Sequence, residues 1–134
     1  MIKKKIIVKL GKRSYPIFIG ENLTFEVGKI VESLGEYSKI IIVTDNNVSK
    51  YYLQELKNSL KSKKVESVVL PSGEKTKSFY YLELLSNKIL SFQIDRNTLL
   101  IALGGGVIGD LVGLLSSLIL RGLPFIQVPT TLLA

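Results

Sequence analysis

The stretch from Thr98 to Asp110, TLLIALGGGVIGD, decides how the chain folds. Thr98 to Leu103 has the length and aliphatic content of a strand buried on both faces, and Val107 to Leu120 is long enough for a helix. The three glycines between them therefore lie where a strand turns into a helix. At such a junction the missing Cβ atoms let backbone N–H groups approach a ligand, and the helix N-terminus adds partial positive charge. The turn therefore predicts a phosphate as its ligand.

Gly104, Gly106 and Gly109 match the pattern G-x-G-x-x-G, but the turn departs from the usual dinucleotide fingerprint. No acidic residue follows roughly 20 positions later to hold a ribose; instead Asp110 lies in the first turn of the predicted helix. One alternative is that the glycines only allow the helix to pack closely on the sheet. A second is a membrane span over Ile101 to Leu120, against which Asp110 and the glycine cluster count.

The composition of the chain bounds its class. A length of 134 residues with 46% hydrophobic content predicts one domain with a real core. The sequence has no cysteine and no histidine, which excludes disulfides, thiolate metal sites and the commonest metal ligand. The N-terminal MIKKKIIVKL lacks a long apolar region and a cleavage site, so we expect a cytoplasmic protein.

The net charge of +7 is unevenly distributed. Basic residues cluster at Lys3 to Lys5, Lys9 to Arg13 and Lys57 to Lys64, without interleaved aromatic residues or a nucleic-acid motif. These clusters are typical of solvated surface, so we expect no nucleic-acid partner; a polyanion-binding module is the alternative.

Strand and helix patterns alternate along the chain and predict an α/β fold, with a mostly parallel sheet, helices on both faces and an N-terminal β-hairpin that caps an edge. The Leu23–Leu34 helix should end in a left-handed cap at Gly35. The remaining predicted elements are the hairpin strands 2–10 and 14–19 joined by GKR, strands 39–44, 65–70 and 124–128, and helices 49–60 and 79–91.

Polar segments follow three predicted strands, at the sheet edge where open α/β folds bind ligands. In TDNNV, Asp45 and Asn47 either cap the next helix or contact a nucleotide. In PSGEKTKS, a Pro-Ser-Gly turn places Glu74 and Lys77 at the same edge, where they anchor hydroxyls and phosphates or form only an exposed ion pair. In PTT, the hydroxyls of Thr130 and Thr131 are suited to phosphate oxygens.

Arg121 is the only basic residue after Arg96. It is either a clamp for a carboxylate or phosphate, or a cation that complements the C-terminus of the preceding helix.

TDNNV, PSGEKTKS, GGGVIGD, LRG and PTTLLA, in this order and spacing, resemble the N-terminal domain of 3-dehydroquinate synthases over essentially the whole chain. The resemblance implies that residues 1–134 form a Rossmann-like NAD-binding domain. Other sugar-phosphate cyclases and the glycerol or iron-type alcohol dehydrogenases share the glycine turn, and they are the alternative families.

The resemblance also implies an activity. Such enzymes convert 3-deoxy-D-arabino-heptulosonate 7-phosphate into 3-dehydroquinate and phosphate in the shikimate pathway of aromatic amino-acid biosynthesis, using NAD and a divalent metal, usually zinc or cobalt. Arg121 resembles the family's substrate-binding arginine. The positions that resemble NAD contacts are Asp45, Asn47, Ser72, Gly73, Glu74, Lys77, Gly104, Gly105, Gly106, Val107, Gly109, Asp110, Thr130 and Thr131.

The metal site of the family implies a further domain. Its metal ligands, one glutamate and two histidines, and its substrate-binding lysines correspond to sequence beyond Ala134. We therefore expect a metal- and substrate-binding domain outside this chain, no metal site within it, and no catalysis by these residues alone. The expected partner is a phosphorylated sugar acid, and the full-length protein is expected to be a homodimer.

Overall fold

The computed structural model describes residues 1–61 and 64–134. Strands β1 (Ile2–Val8) and β2 (Tyr15–Gly20) form the expected antiparallel hairpin around a short 3-10 turn, Gly11–Arg13. The first strand ends at Val8 rather than at residue 10, because the N–H of Leu10 donates to Oγ of Ser14 at 2.9 Å and closes the turn. The sequence analysis predicted that the hairpin caps an edge of the main sheet. That prediction is wrong, because the hairpin forms a separate two-stranded sheet.

The main sheet of the described residues has four parallel strands. These are β3 (Lys39–Asp45), β4 (Val65–Leu70), β5 (Thr98–Gly104) and β6 (Phe125–Pro129). Their order is β4-β3-β5-β6, so the chain moves to one side of β3 and then crosses back to the other. All seven residues of β5 are buried, as expected for a strand covered on both faces.

Helices cover both faces of this sheet, as predicted. They are α1 (Val27–Leu34), α2 (Gln54–Ser59), α3 (Phe79–Leu90) and α4 (Gly106–Leu118). One core cluster joins Ile41 and Val43 of β3 to Leu85 of α3 and Leu115 of α4. The opposite cluster joins the alternate strand residues, such as Ile42, to residues of α1 and α2. Because side chains alternate across a strand, one apolar strand serves both clusters.

Two of the predicted helices begin differently in the structure. The segment 23–34 splits into a 3-10 turn, Leu23–Phe25, and α1, and Gly35 has φ 145° and ψ −169°, which is not a left-handed cap. The segment 49–60 begins as a π-helical turn, Ser49–Leu53, before α2. The basic cluster at 57–64 lies partly outside the described residues.

The predicted helix 107–120 starts one residue earlier, at Gly106, and ends at Leu118. A 3-10 turn follows, in which Leu120 and Arg121 have φ values of 50° and 66°. Side chains rarely adopt this left-handed backbone, so the helix cannot continue through it. Leu114 and Leu118 of this apolar helix are 49% and 61% exposed.

Candidate functional site

The carboxyl ends of all four parallel strands meet at one edge of the sheet. Asp45, the last residue of β3, pairs with Leu70, the last of β4, and Gly104 pairs with Pro129 at the ends of β5 and β6. The chain leaves the adjacent strands β3 and β5 in opposite directions along the sheet. This is the topological switch point at which open α/β sheets bind ligands. Fourteen of the fifteen predicted site residues lie at or after these four strand ends; Arg121 is the exception.

The three glycines of the turn differ in what surrounds them. A Cβ atom on Gly104 would lie 3.0 Å from the side chain of Ile108, and one on Gly105 would lie 3.2 Å from that of Thr131. These two glycines therefore allow close packing of the neighbouring side chains, which was one alternative for the turn. A Cβ atom on Gly106 would meet nothing within 4 Å.

Gly106 is also the first residue of α4, whose N-terminus has no side-chain hydrogen bond to cap it. The first N–H groups of a helix have no partner inside the helix and carry partial positive charge. Open space in front of such a terminus fits the phosphate of a nucleotide. Val107 and Gly109 belong to the same first turn and are partly exposed.

The PTT segment lies against this turn. The N–H of Thr130 donates to the carbonyl oxygen of Gly104 at 3.0 Å, which extends the pairing of β6 and β5 by one residue. The side chain of Thr131 lies beside Gly105, where it occupies the space next to the absent Cβ atom of the glycine. Both threonines thus border the glycine turn, as the sequence predicted.

Lys77 and Asp110 form an ion pair that joins the loop after β4 to the first turn of α4. Nζ of Lys77 lies 2.7 Å from Oδ2 of Asp110, and the two side chains are 51% and 63% exposed. The hydrogen bond and the charge of Asp110, with a smaller effect of Glu74, hold the pKa of Lys77 above its usual 10.5. One prediction from the sequence was an exposed ion pair between Glu74 and Lys77. In the structure Lys77 bonds to Asp110 instead.

The turn after β3 is organised by Asp45. Its Oδ1 accepts hydrogen bonds from the N–H groups of Asn47 and Val48, both at 2.8 Å. Asp45 therefore stabilises the turn that leads into the π-helical segment. Neither that segment nor α2 has a side-chain hydrogen bond at its N-cap, so the predicted helix cap is not observed. Asn47 does not cap a helix; its Nδ2 donates to Oγ of Ser72 at 3.1 Å.

Asn46 is a residue of this edge that the sequence pattern did not single out. Its Oδ1 accepts from the N–H of Ser72 at 3.2 Å, and its own N–H donates to the carbonyl oxygen of Leu70 at 2.9 Å. Asparagine directly after a buried strand was the available signal, but the pattern alone does not distinguish Asn46 from Asn47. The loops after β3 and β4 are therefore tied together at Ser72.

The loop after β4 presents Glu74 to solvent. Gly73 has φ +107°, a conformation that side chains rarely adopt, and Glu74 then begins a 3-10 turn that ends at Thr76. Thr76 is buried, and its hydroxyl donates to the carbonyl oxygen of Pro71 at 2.6 Å. This internal bond gives the loop a fixed shape with Glu74 and Lys77 on its outer side.

Arg121 lies far from the other predicted site residues. Helix α4 starts at the glycine turn and runs back along the sheet for 13 residues, which corresponds to roughly 20 Å. Arg121 follows its end and precedes β6, next to the amino ends of the strands. The arginine is exposed. Within one chain it therefore does not face the glycine turn.

An open groove of about 340 Å³ adjoins the ion pair. Lys77 and Asp110 form one end of it, and its walls are mainly apolar side chains of α3 and α4: Phe79, Leu82, Leu111 and Leu114. Phe79 is 86% exposed. The ligand edge thus continues into an apolar surface.

Neither a metal centre nor a membrane span is found in the part of the chain that the structure describes. No group of three or more Asp, Glu, His or Cys side chains is arranged there to hold a metal ion. None of the helices within residues 1–61 and 64–134 combines the length and apolar character needed to cross a membrane.

Comparisons with known proteins agree with this geometry. Residues 67–134 match the family model described as 3-dehydroquinate synthase N-terminal. The 3-dehydroquinate synthase of Bacillus pumilus is 45% identical over 133 residues, which are 98% of this chain and 37% of that protein. The chain therefore spans little more than a third of that relative.

Solved structures show the same fold. A 2-deoxy-scyllo-inosose synthase superposes with a TM-score of 0.85 at 22% identity, over 95% of this chain and 36% of that one. The 2-epi-5-epi-valiolone synthase of Streptomyces hygroscopicus, solved with NAD+ and Zn2+ bound, gives a TM-score of 0.75 at 25% identity, over 94% of this chain and 35% of that one. The family match covers the loop after β4, the glycine turn and PTT. The chain therefore belongs to the 3-dehydroquinate synthase family and corresponds to the N-terminal part of such proteins.

Proposed function

We propose that this chain binds NAD at the carboxyl edge of its sheet and supplies the nucleotide-binding part of a 3-dehydroquinate synthase. The observation that carries the proposal is the open space in front of Gly106 at the uncapped start of α4. The nucleotide's pyrophosphate would bind to the first N–H groups of that helix. Thr130 and Thr131 border the same turn and would donate their hydroxyls to phosphate oxygens.

The loops on the other side of the switch point would hold the rest of the nucleotide. Glu74 is exposed there and suits ribose hydroxyls, while Lys77 suits an anionic oxygen once it leaves Asp110. Asp45 uses Oδ1 for its own turn, so only its second oxygen remains for a ligand.

The reaction proposed for the full-length protein is the conversion of 3-deoxy-D-arabino-heptulosonate 7-phosphate into 3-dehydroquinate and phosphate. NAD held at this edge would supply reversible hydride transfer, and the overall reaction would have no net redox change. The described residues do not fit the family's divalent metal, because they offer no cluster of ligands and the sequence has no histidine. We therefore propose that this chain alone binds the nucleotide but does not turn over substrate, and that a further domain supplies the metal site.

We also propose that the full-length protein is a cytoplasmic homodimer in which Arg121 serves the substrate site of a second copy. The support is its position: α4 carries Arg121 roughly 20 Å from the glycine turn of its own chain. An exposed guanidinium with that placement can reach a phosphate only at another surface.

The test of the proposed function is a calorimetric titration of NAD into the chain, with Gly106→Ala and a surface variant away from the site, Glu83→Ala on α3. We expect saturable binding that Gly106→Ala weakens, because its methyl group would occupy the open space, and that Glu83→Ala leaves unchanged. No binding by a chain whose circular dichroism shows it to be folded would contradict the proposal. Phosphate release over many turnovers by this chain alone would contradict its predicted inactivity.

Two alternatives have different expected results. A glycerol or iron-type alcohol dehydrogenase would reduce NAD stoichiometrically with an alcohol, and the 45% identity to a 3-dehydroquinate synthase favours the cyclase over it. A polyanion-binding module would be retained on an anionic polymer in a salt-sensitive way. Its lysines at positions 3–5 belong to the separate hairpin and not to the ligand edge.

A further inference from the structure

We propose that Asn46 is a positioning residue, which holds the loop after β4 in the shape that binds the nucleotide. The inference rests on the proposed function and assigns a role to a residue that makes no direct contact in it. Two hydrogen bonds join Ser72 to the turn after β3: the N–H of Ser72 donates to Asn46, and the amide of Asn47 donates to the hydroxyl of Ser72. Together they form the Ser72 clasp.

The loop from Pro71 to Ser78 is braced internally but has few fixed points outside itself. Inside it, Thr76 bonds to Pro71 through its hydroxyl and to Gly73 through its N–H, at 2.6 and 3.1 Å. These bonds preserve the shape of the loop, but they do not fix its position relative to the sheet.

Two side-chain attachments fix that position in the described structure. At one end of the loop the Ser72 clasp joins it to the turn after β3. At the other end Lys77 bonds to Asp110 at the start of α4. A nucleotide whose anionic oxygen binds Lys77 must compete with Asp110, so the second attachment weakens when the ligand binds.

The Ser72 clasp then becomes the remaining side-chain attachment of the loop. Asn46 is the stronger candidate of its two asparagines, because its oxygen accepts from a backbone N–H and so fixes the main chain of Ser72. Asn47 reaches only the hydroxyl, which can rotate. Gly73 follows directly with φ +107°, so a shift at Ser72 would swing Glu74 away from the edge.

The test compares Asn46→Leu, which removes the acceptor oxygen, with Asn46→Asp, which keeps it. Asn87→Leu, at an exposed position of α3, is the matched control. Three quantities are measured: the dissociation constant for NAD by calorimetry, the hydrogen-exchange rate of the Ser72 amide by NMR, and the melting temperature. The titrations are run at low and high salt, because high salt screens the charge that Asn46→Asp adds.

For Asn46→Leu we expect a dissociation constant about three- to tenfold higher, the effect of one hydrogen bond, and faster exchange at Ser72. Asn46→Asp should restore slow exchange, and at high salt it should restore affinity. Asn87→Leu should change neither quantity. A purely structural residue would lower the melting temperature without this selective rescue.

Three outcomes would overturn the inference: unchanged affinity in Asn46→Leu, failure of Asn46→Asp to restore it at high salt, or an equal loss in Asn87→Leu. Failure of the proposed function looks different, because the folded wild-type chain would then bind no NAD. In that case the role of Asn46 in nucleotide binding fails with it, while exchange at Ser72 still reports whether the bond exists.

Discussion

The side chains of Lys77 and Asp110 meet at 2.7 Å across the edge of the sheet, although 33 positions separate them in the sequence. Their ion pair connects the loop after β4 with the glycine turn, the two segments that the proposed function assigns to one nucleotide. Because both groups are exposed, the pair adds little to folding stability. Its importance lies in the charge that each partner presents to a ligand.

Removing Asp110 should lower the pKa of Lys77 towards its usual 10.5, because Asp110 is the main cause of the increase. A raised pKa in the folded chain stabilises it at pH values below the ordinary pKa, and this contribution disappears as pH rises through the raised value. NMR titration of the Lys77 Nζ group in Asp110→Ala measures the change. An unaltered pKa in that variant would contradict the ion pair, and Glu83→Ala should leave it unaltered.

Asp95 should contribute to acid sensitivity. The hydroxyl of Ser38 donates to its Oδ1 at 2.5 Å, and this bond, followed by that from the N–H of Asn97, lowers the pKa of Asp95 below its usual 3.8. A lowered pKa stabilises the fold above the ordinary pKa, and the contribution is lost as pH falls through the lowered value.

Ser38→Ala should therefore destabilise the chain at neutral pH and lose this effect in acid, where Asp95 is protonated. Urea unfolding at a series of pH values measures it, with Ser33→Ala on α1 as the control. The hydroxyl of Ser33 bonds only to the carbonyl oxygen of Ile30. A difference between wild type and Ser38→Ala that stayed constant with pH would contradict the assignment.

Gly106→Ala should separate ligand binding from folding. Its Cβ atom would lie in open space, so the melting temperature should change little, whereas the methyl group would occupy the space assigned to the nucleotide. NAD affinity should fall by at least about tenfold, as expected for the loss of one or two backbone contacts to phosphate.

Gly28→Ala is the contrasting variant. A Cβ atom there would lie 1.7 Å from the carbonyl oxygen of Ser59, so α1 would have to move away from the end of α2. We expect a loss of at least about 2 kcal/mol in the free energy of unfolding. Equal stabilities of the two glycine variants would contradict this account of their surroundings.

Thr44→Val should stabilise the chain. The Thr44 hydroxyl is fully buried and has no hydrogen-bond partner among the described residues, so an isosteric methyl group removes a desolvation cost. The expected gain in the free energy of unfolding is about 1 kcal/mol. Thr98→Val is the matched control, because Oγ1 of Thr98 accepts from the N–H of Asp95 at 3.2 Å and its loss should destabilise. Loss of stability in Thr44→Val would contradict the prediction.

The order of strands and helices could be predicted from the sequence because the signals are local and strong. Residues 99–103 of β5 are all apolar, as expected for a strand buried on both faces, and the glycines mark its end. The limits of the helices were less accurate. Nothing in the hydrophobic spacing indicates that Ile119 adopts extended backbone, which ends α4 early, or that Leu120 and Arg121 follow in left-handed backbone.

The site was predictable as a set of loops but not as a set of contacts. Strand ends bring TDNNV, PSGEKTKS and the glycines to one edge whatever their side chains do. The partner of Lys77 could have been Glu74 or Asp110 by charge alone, and only the position of α4 decides for Asp110. The distance of Arg121 from the turn likewise depends on the direction of α4 along the sheet.

The position of β3 inside the sheet also determines when the ligand edge can form during synthesis of the chain. Ile40 pairs with Val65 on one side and with Leu99 on the other. The second partner strand of β3, β5, is therefore synthesised much later than β3 itself. Such non-local parallel pairing forms slowly, because the chain loses the entropy of closing a long loop before stabilising contacts form. Until Thr98–Gly104 has left the ribosome, the apolar β3 keeps one open edge, and a chaperone that shields this strand would protect the nascent chain from aggregation.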